Sequence, residues 1–138
     1  MVQFLEFVSN HWILSGIWLV LILAVIFQLK SSASKSVGPQ QAVMLINRSN
    51  AVVVDVREKK EFESGHIVDA INIPLSKLDQ RMAELQKHKD KPVVVVCKTG
   101  QQSSDACKTL TTDGFAQVVK LGGGITEWKA QSLPLIQK

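Results

Sequence analysis

Only two cysteines occur in 138 residues, Cys97 and Cys107, too few and too close in sequence for a disulfide framework. No grouping of Cys and His has the spacing of a zinc site, so a reducing compartment is the natural setting. Lys and Arg are missing from the first 29 positions, and the 16 that follow are scattered rather than clustered, with Phe62, Phe115 and Trp128 the few aromatic residues across that stretch. That pattern argues against nucleic acid as a partner and favours anionic ligands or anionic lipid headgroups. Internal repeats and low-complexity tracts are also absent. Once the apolar N-terminus is set aside, the remaining length suits one small domain with a single core, which excludes a two-domain soluble enzyme.

Formal charge is missing from the 23 residues between Glu6 and Lys30, a stretch dense in Ile, Leu, Val, Phe and Trp from Trp12 to Leu29. Its length is enough to cross a bilayer core as a helix. A buried core helix would need polar positions at helical spacing, and residues 17–27 have none. The small residues Ser31, Ser32, Ala33 and Ser34 would suit a signal peptidase, but the segment before the apolar run carries Glu6 and no Lys or Arg. The expected organisation is a transmembrane helix over 1–29, a linker over 30–38 and a globular domain over 39–138. Lys30, Lys35 and Arg48 follow the span, so the positive-inside bias predicts a single pass of the inner cell membrane. Residues 7–29 contact lipid, with the N-terminus outside and the domain in the cytoplasm. Ser15, Gly16 and Ala24 form no Gly-x-x-x-Gly pattern that would pair two such helices.

From residue 30 onward, 16 basic residues stand against 11 acidic ones, a net charge of +5. Pro39 is placed to open a helix that runs through Ala42, Val43, Leu45 and Ile46 to about Arg48, with a turn at Asn50. Continuous apolar runs at 51–56 and 93–97, and a shorter one at 117–121, read as strands buried on both faces of a parallel sheet. Between them lie a short strand at 70–73, an amphipathic helix at 76–86 capped by Ser76, and a helix at 103–112 closing at Gly114. The alternation predicts an α/β domain with a mostly parallel sheet.

In open α/β sheets, ligands collect beyond the carboxyl ends of strands, and Cys97 stands at such an end. Lys98, Thr99, Gly100, Gln101 and Gln102 follow, and a helix begins near Ser103. Inward amides, the positive end of the helix and the charge of Lys98 all favour a thiolate, the nucleophilic form of cysteine. Gly100 permits the backbone angles that such a loop needs. Cys107 falls inside the helix beside Ala106 and Leu110, where a small buried hydrophobe is expected.

Three separated motifs, in order, resemble the rhodanese family over about 100 residues from Val37 to Pro134. The first comprises Asp55-Val56-Arg57, Phe62, Gly65-His66-Ile67 and Ala70-Ile71-Asn72-Ile73-Pro74. The second is Cys97-Lys98-Thr99-Gly100-Gln101-Gln102 followed by Ser103, and the third is Gly122-Gly123-Gly124-Ile125 with Trp128. The resemblance implies a central, largely parallel sheet flanked by helices and a catalytic Cys97 that takes a sulfane sulfur as a persulfide. It makes Lys98, Thr99, Gly100, Gln101, Gln102 and Ser103 the substrate-binding loop, and it implies no cofactor. Asp55, Arg57 and His66 match family positions that look architectural. The loop departs from the family's Cys-Arg-x-Gly-x-Arg-Ser form, because Gln101 and Gln102 stand where a second cation often lies. Thiosulfate is then a poor donor, and a protein or low-molecular-weight persulfide is favoured. A related phosphatase group needs an arginine six positions after its cysteine; here that position is Ser103, which argues against phosphoryl chemistry.

The leading expectation is a membrane-anchored sulfurtransferase that passes sulfur from a sulfane donor through Cys97 to a thiol or other thiophilic acceptor. A non-enzymatic adaptor that meets a membrane protein partner is the alternative, motivated by the depleted loop charge. Thiol redox sensing by Cys97 and Cys107 ranks last.

Overall fold

The computed structural model describes residues 1–32 and 34–137, with side chains for 1–28 and 34–137. Two units are distinguished, Met1–Ala33 and Ser34–Lys138. In the first, α1 (Val2–Asn10) and α2 (Trp12–Ser32) meet at His11, and the axes of Val2–Asn10 and Trp12–Gln28 are bent by 94°. The expected single helix over 1–29 is therefore replaced by a bent pair. No single helix among the described residues is long and apolar enough to cross a membrane, whereas the bent pair taken together has the length and apolar composition of a span. The break falls at Asn10-His11, two weak helix formers, where His11 leaves helical geometry at φ −124° and ψ 44°. The side chain of Lys30, part of the charge argument, and Ala33 of the expected linker lie outside the described residues.

In the second unit, β1 (Lys35–Val37) lies within the stretch expected to be linker. Its three residues are too few to show a strand pattern, and its partner strand comes from near the other end of the chain. The helix α3 (Pro39–Ser49) starts on Pro39 and stops at Asn50, whose left-handed φ of 52° ends the helical path. Next come β2 (Val52–Asp55), the short α4 (Lys59–Ser64) and β3 (Ile71–Asn72). The amphipathic α-helix expected at 76–86 is absent; two 3₁₀ turns, Leu75–Lys77 and Met82–His88, take its place. Apolar residues three apart, Leu75 with Leu78 and Met82 with Leu85, suit the tighter three-residue turn. Arg81 fixes the break between the turns, reaching back to the Asn72 carbonyl at 3.2 Å and forward to Glu84 at 2.8 Å. The chain ends with β4 (Val93–Val96), α5 (Gln102–Thr112), β5 (Val118–Leu121) and α6 (Gly124–Ala130).

All strands are parallel, in the order β1-β5-β4-β2-β3. The β-branched valines of β4 are stiff at χ1 and suit a pleated surface, and all four are buried. Burying each is worth about 1.5–3 kcal/mol. Alternation sends Val93, Val95 and Cys97 to one face, where they meet Ala106, Cys107 and Leu110 of α5 and Leu78 and Leu85. It sends Val94 and Val96 to the other, against Ala42 of α3 and Ile125 and Trp128 of α6. Connections leave β2 toward β3 and β4 toward β5, in opposite directions, so a topological switch point lies between the carboxyl ends of β2 and β4.

Polar groups just past β2 form a buried lock. The Arg57 guanidinium grips the Asp55 carboxylate at 2.7 and 3.0 Å and donates to the Gly65 carbonyl at 2.8 Å. Asn72 Nδ2 donates to the carbonyls of Asp55 and Arg57 at 3.1 and 2.9 Å. Removing one member leaves an uncompensated buried charge, so Arg57→Leu should lower the unfolding free energy by about 3–5 kcal/mol in a urea titration, while Lys59→Leu at the exposed Glu63 pair should change it far less.

Burial pushes the Cys107 thiol up from 9.0 to about 12, with the nearby Lys120 acting in the opposite direction. The unfolded thiol ionises above about pH 9 while the folded one stays protonated. Its contribution to stability is thus complete below that pH and is lost as pH rises toward about 12. Between about pH 8 and about pH 11 the wild type should lose more unfolding free energy than Cys107→Ala, measured by urea unfolding at both pH values. Equal losses would show that Cys107 does not titrate in this way.

Candidate active site

Cys97 follows the last residue of β4 and opens the loop that leads into α5, whose first residue is Gln102. The loop turns on Gly100, whose φ of +98° lies in the left-handed region that side chains disfavour. That turn points the Gly100 N–H at Cys97 Sγ, 2.9 Å away. Ser103 Oγ lies 3.4 Å from the same sulfur and donates to the Gly100 carbonyl at 3.0 Å, closing a small ring of polar contacts. The sulfur therefore has two faces. One looks toward Val95, Ala106 and Cys107 in the core, and the other toward an amide and a hydroxyl.

The sequence suggested a row of amides converging on the sulfur, whereas among the described residues one amide, that of Gly100, reaches it. Gln101 is already in the right-handed helical region at φ −74° and ψ −50°, so the chain enters α5 directly after Gly100. Cys97 is 1 % exposed, and Ser103 is fully buried. Lys98, Thr99, Gln101 and Gln102 are exposed and form the rim.

Beneath the loop lies a support to which the sequence had assigned no role. The Cys97 carbonyl accepts from Ile125 N–H at 2.9 Å, and the Lys98 carbonyl accepts from Thr126 N–H at 3.2 Å and Thr126 Oγ1 at 2.9 Å. Gly124, at φ +58°, faces the Cys97 carbonyl so closely that a side chain there would collide with the loop backbone. The Gly122-Gly123-Gly124-Ile125 motif is thus a seat for the cysteine loop. Beside the seat the surface opens into a groove of about 400 Å³, lined by Thr99, Gly100 and Gln101 of the loop, Ser104 of α5, and Lys120 and Gly123.

Asp55, Arg57 and His66 serve the scaffold. His66 Nδ1 lies 2.7 Å from the Phe62 carbonyl, and its ring stacks on Phe62 with centroids 3.8 Å apart. None of the hydrogen bonds of these three residues goes to Cys97 among the described residues. Cys107 is buried, and burial raises its thiol pKa, which disfavours the thiolate form on that side of the Cys97–Cys107 pair.

Proteins similar in sequence and fold are known. A model of the rhodanese-like domain matches residues 38–131. The chain is 40% identical over 141 residues to the uncharacterized protein YibN of Escherichia coli (strain K12), covering 99% of each chain. It is 36% identical to thiosulfate sulfurtransferase GlpE of Pseudomonas savastanoi pv. phaseolicola, over 70% of this chain and 88% of that one. A rhodanese-related protein from Thermoplasma volcanium superposes with a TM-score of 0.66 at 32% identity, over 75% of this chain and 99% of the other. The polysulfide-sulfur transferase of Wolinella succinogenes does so with a TM-score of 0.65 at 26% identity, over 84% and 89%. The family match takes in every strand except β1 together with the cysteine loop and its glycine seat, and on that match the chain belongs to the rhodanese-like domain family.

Proposed function

We propose that this chain is a membrane-anchored sulfurtransferase in which Cys97 carries sulfane sulfur between a donor and a thiophilic acceptor. The observation that carries the reading is the Gly100 N–H aimed at Cys97 Sγ at the carboxyl end of the central parallel strand. Relatives of the same family that are named sulfurtransferases support it. In the first step the Cys97 thiolate attacks the outer sulfur of the donor. A sulfur–sulfur bond forms on the enzyme, and the donor's own bond to that sulfur breaks and leaves as a thiolate or as sulfite. In the second, an acceptor thiolate takes the outer sulfur and returns Cys97 as a thiolate, with no net oxidation. The loop amide stabilises negative charge on the sulfur before and after each transfer. Because Cys97 is 1 % exposed, the donor reaches it by displacing the rim at 98–102, of which only Gly100 is buried.

Wild-type protein exposed to a small persulfide should gain one sulfur on Cys97 by intact-protein and peptide mass spectrometry. Cys107→Ser should gain it equally and Cys97→Ser not at all. A wild type that stays unmodified with both a persulfide and thiosulfate would overturn the reading.

The burial of Cys97 and the uncharged Gln101 and Gln102 favour one second reading, a tethered adaptor that recognises a membrane protein partner without catalysis. If Cys97→Ser retains the cellular role and loss of the N-terminal helices abolishes it, the adaptor reading is the correct one.

Membrane attachment rests on residues 7–29. Trp12, Trp18, Leu19, Val20 and Phe27 are each more than half exposed, as side chains that face lipid would be. The absence of basic residues before Lys30 favours the N-terminus outside and the rhodanese-like domain in the cytoplasm. The full chain should stay in the membrane pellet after an alkaline carbonate wash. Protease should digest the domain in inverted vesicles but spare it in spheroplasts; the reverse pattern would overturn the orientation, and release by carbonate would overturn the anchor.

A further inference from the structure

The groove beside the loop is lined by a cation, Lys120, that sequence patterning does not place there. Lys120 lies on β5 in register with Val95 of β4, and Cys97 is two residues further along that neighbouring strand. Alternation puts Val119 and Leu121 on the α6 face, so Lys120 shares the opposite face with Cys97 and α5. Strand spacing of about 4.8 Å and a rise of about 3.3 Å per residue place the two Cα atoms about 8 Å apart.

The surroundings of Lys120 suit a negatively charged neighbour. It is half-buried and makes no ion pair among the described residues. Its Nζ donates one hydrogen bond, to Ser104 Oγ at 2.8 Å, although an ammonium has three donors to place. The groove lining contains no carboxylate, and Glu127, which packs against the Gly123 position, accepts instead from Gln131 at 3.1 Å. On the rim, Gln101 and Gln102 are neutral, and Lys98 is exposed and does not line the groove. A half-buried cation with spare donors attracts an anion far more strongly than one in bulk water, because less solvent screens the pair.

We propose that Lys120 is a specificity-determining residue that holds the anionic head of a sulfane-sulfur donor in this groove while the donor's outer sulfur faces the Cys97 loop. The inference rests on the sulfurtransferase reading and deepens it by naming the donor chemistry. A loop short of cations thereby regains one from a strand remote in sequence. The head is an oxyanion, either the sulfonate of thiosulfate or the carboxylate of a small persulfide, and charge at that end is what the site selects.

Three donors separate the possibilities: thiosulfate, 3-mercaptopropionate persulfide with a carboxylate head, and 2-hydroxyethyl persulfide with a neutral head. Rates of sulfur loading onto Cys97 are read by mass spectrometry in the full chain for wild type, Lys120→Gln and Lys120→Arg. Lys120→Gln should lower kcat/KM about tenfold for at least one anionic donor, the effect of one charged contact of about 1.4 kcal/mol, and leave the neutral donor within about twofold. Lys120→Arg should restore most of the loss, and added salt should shrink the difference between wild type and Lys120→Gln. Loss confined to thiosulfate assigns the sulfonate as the bound head, and loss confined to the mercaptopropionate persulfide assigns the carboxylate. Rates in Lys120→Gln that match wild type for every donor overturn the proposal and leave the sulfurtransferase reading standing. A parallel loss with all three donors also overturns it, since that is what a merely structural lysine or a misfolded variant gives. A wild type that loads no sulfur from any donor removes the reading on which the proposal rests.

Discussion

Parallel pairing of β4 with β2 on one side and β5 on the other is the constraint from which the rest of the domain follows. A central parallel strand has no face open to water, so each of Val93–Val96 must be apolar and each face must be covered by helices. Parallel strands also direct their carboxyl ends to one edge of the sheet. The loop after β4, the polar lock after β2 and the glycine turn after β5 therefore meet at that edge, although they are far apart in sequence.

At that edge, backbone groups carry most of the organisation. The carbonyls of Cys97 and Lys98 are held by the first residues of α6, which requires Gly124 to have no side chain. The loop is thus fixed by its main chain, and the side chains of Lys98, Thr99, Gln101 and Gln102 are left free at the rim. Fixing the loop's backbone while leaving its rim side chains solvent-exposed lets charge near the cysteine vary without disturbing the fold. Here the rim has little charge, and the cation of the groove comes from β5.

The signature residues after β2 work at a distance from the sulfur. Arg57 pairs with Asp55 and donates to the Gly65 carbonyl, Asn72 donates to the backbone carbonyls of Asp55 and Arg57, and His66 engages Phe62 through Nδ1 and its ring face. A buried ion pair of this kind contributes less to net stability than its distances suggest, since both charges were desolvated to make it, but each member is costly to remove. Its effect is to fix the course of the chain from β2 through α4 to β3, which keeps the first motif of the family in place beside the switch point.

Local features were legible in the amino-acid order alone. The valine runs gave β2 and β4, Pro39 and Asn50 bounded α3, and a cysteine at a strand end before a glycine and a helix start marked the loop. It also marked the glycine-rich motif, without showing what the motif supports. Tertiary structure decided whatever depends on partners distant along the chain. A three-residue edge strand such as β1 is defined only by its pairing with β5, the segment after Pro74 becomes 3₁₀ because Arg81 ties it to Asn72, and one amide rather than several faces Cys97. The approach of Lys120 to the cysteine loop belongs to the same class: alternation and inter-strand register set it, and neither exists until the strands pair.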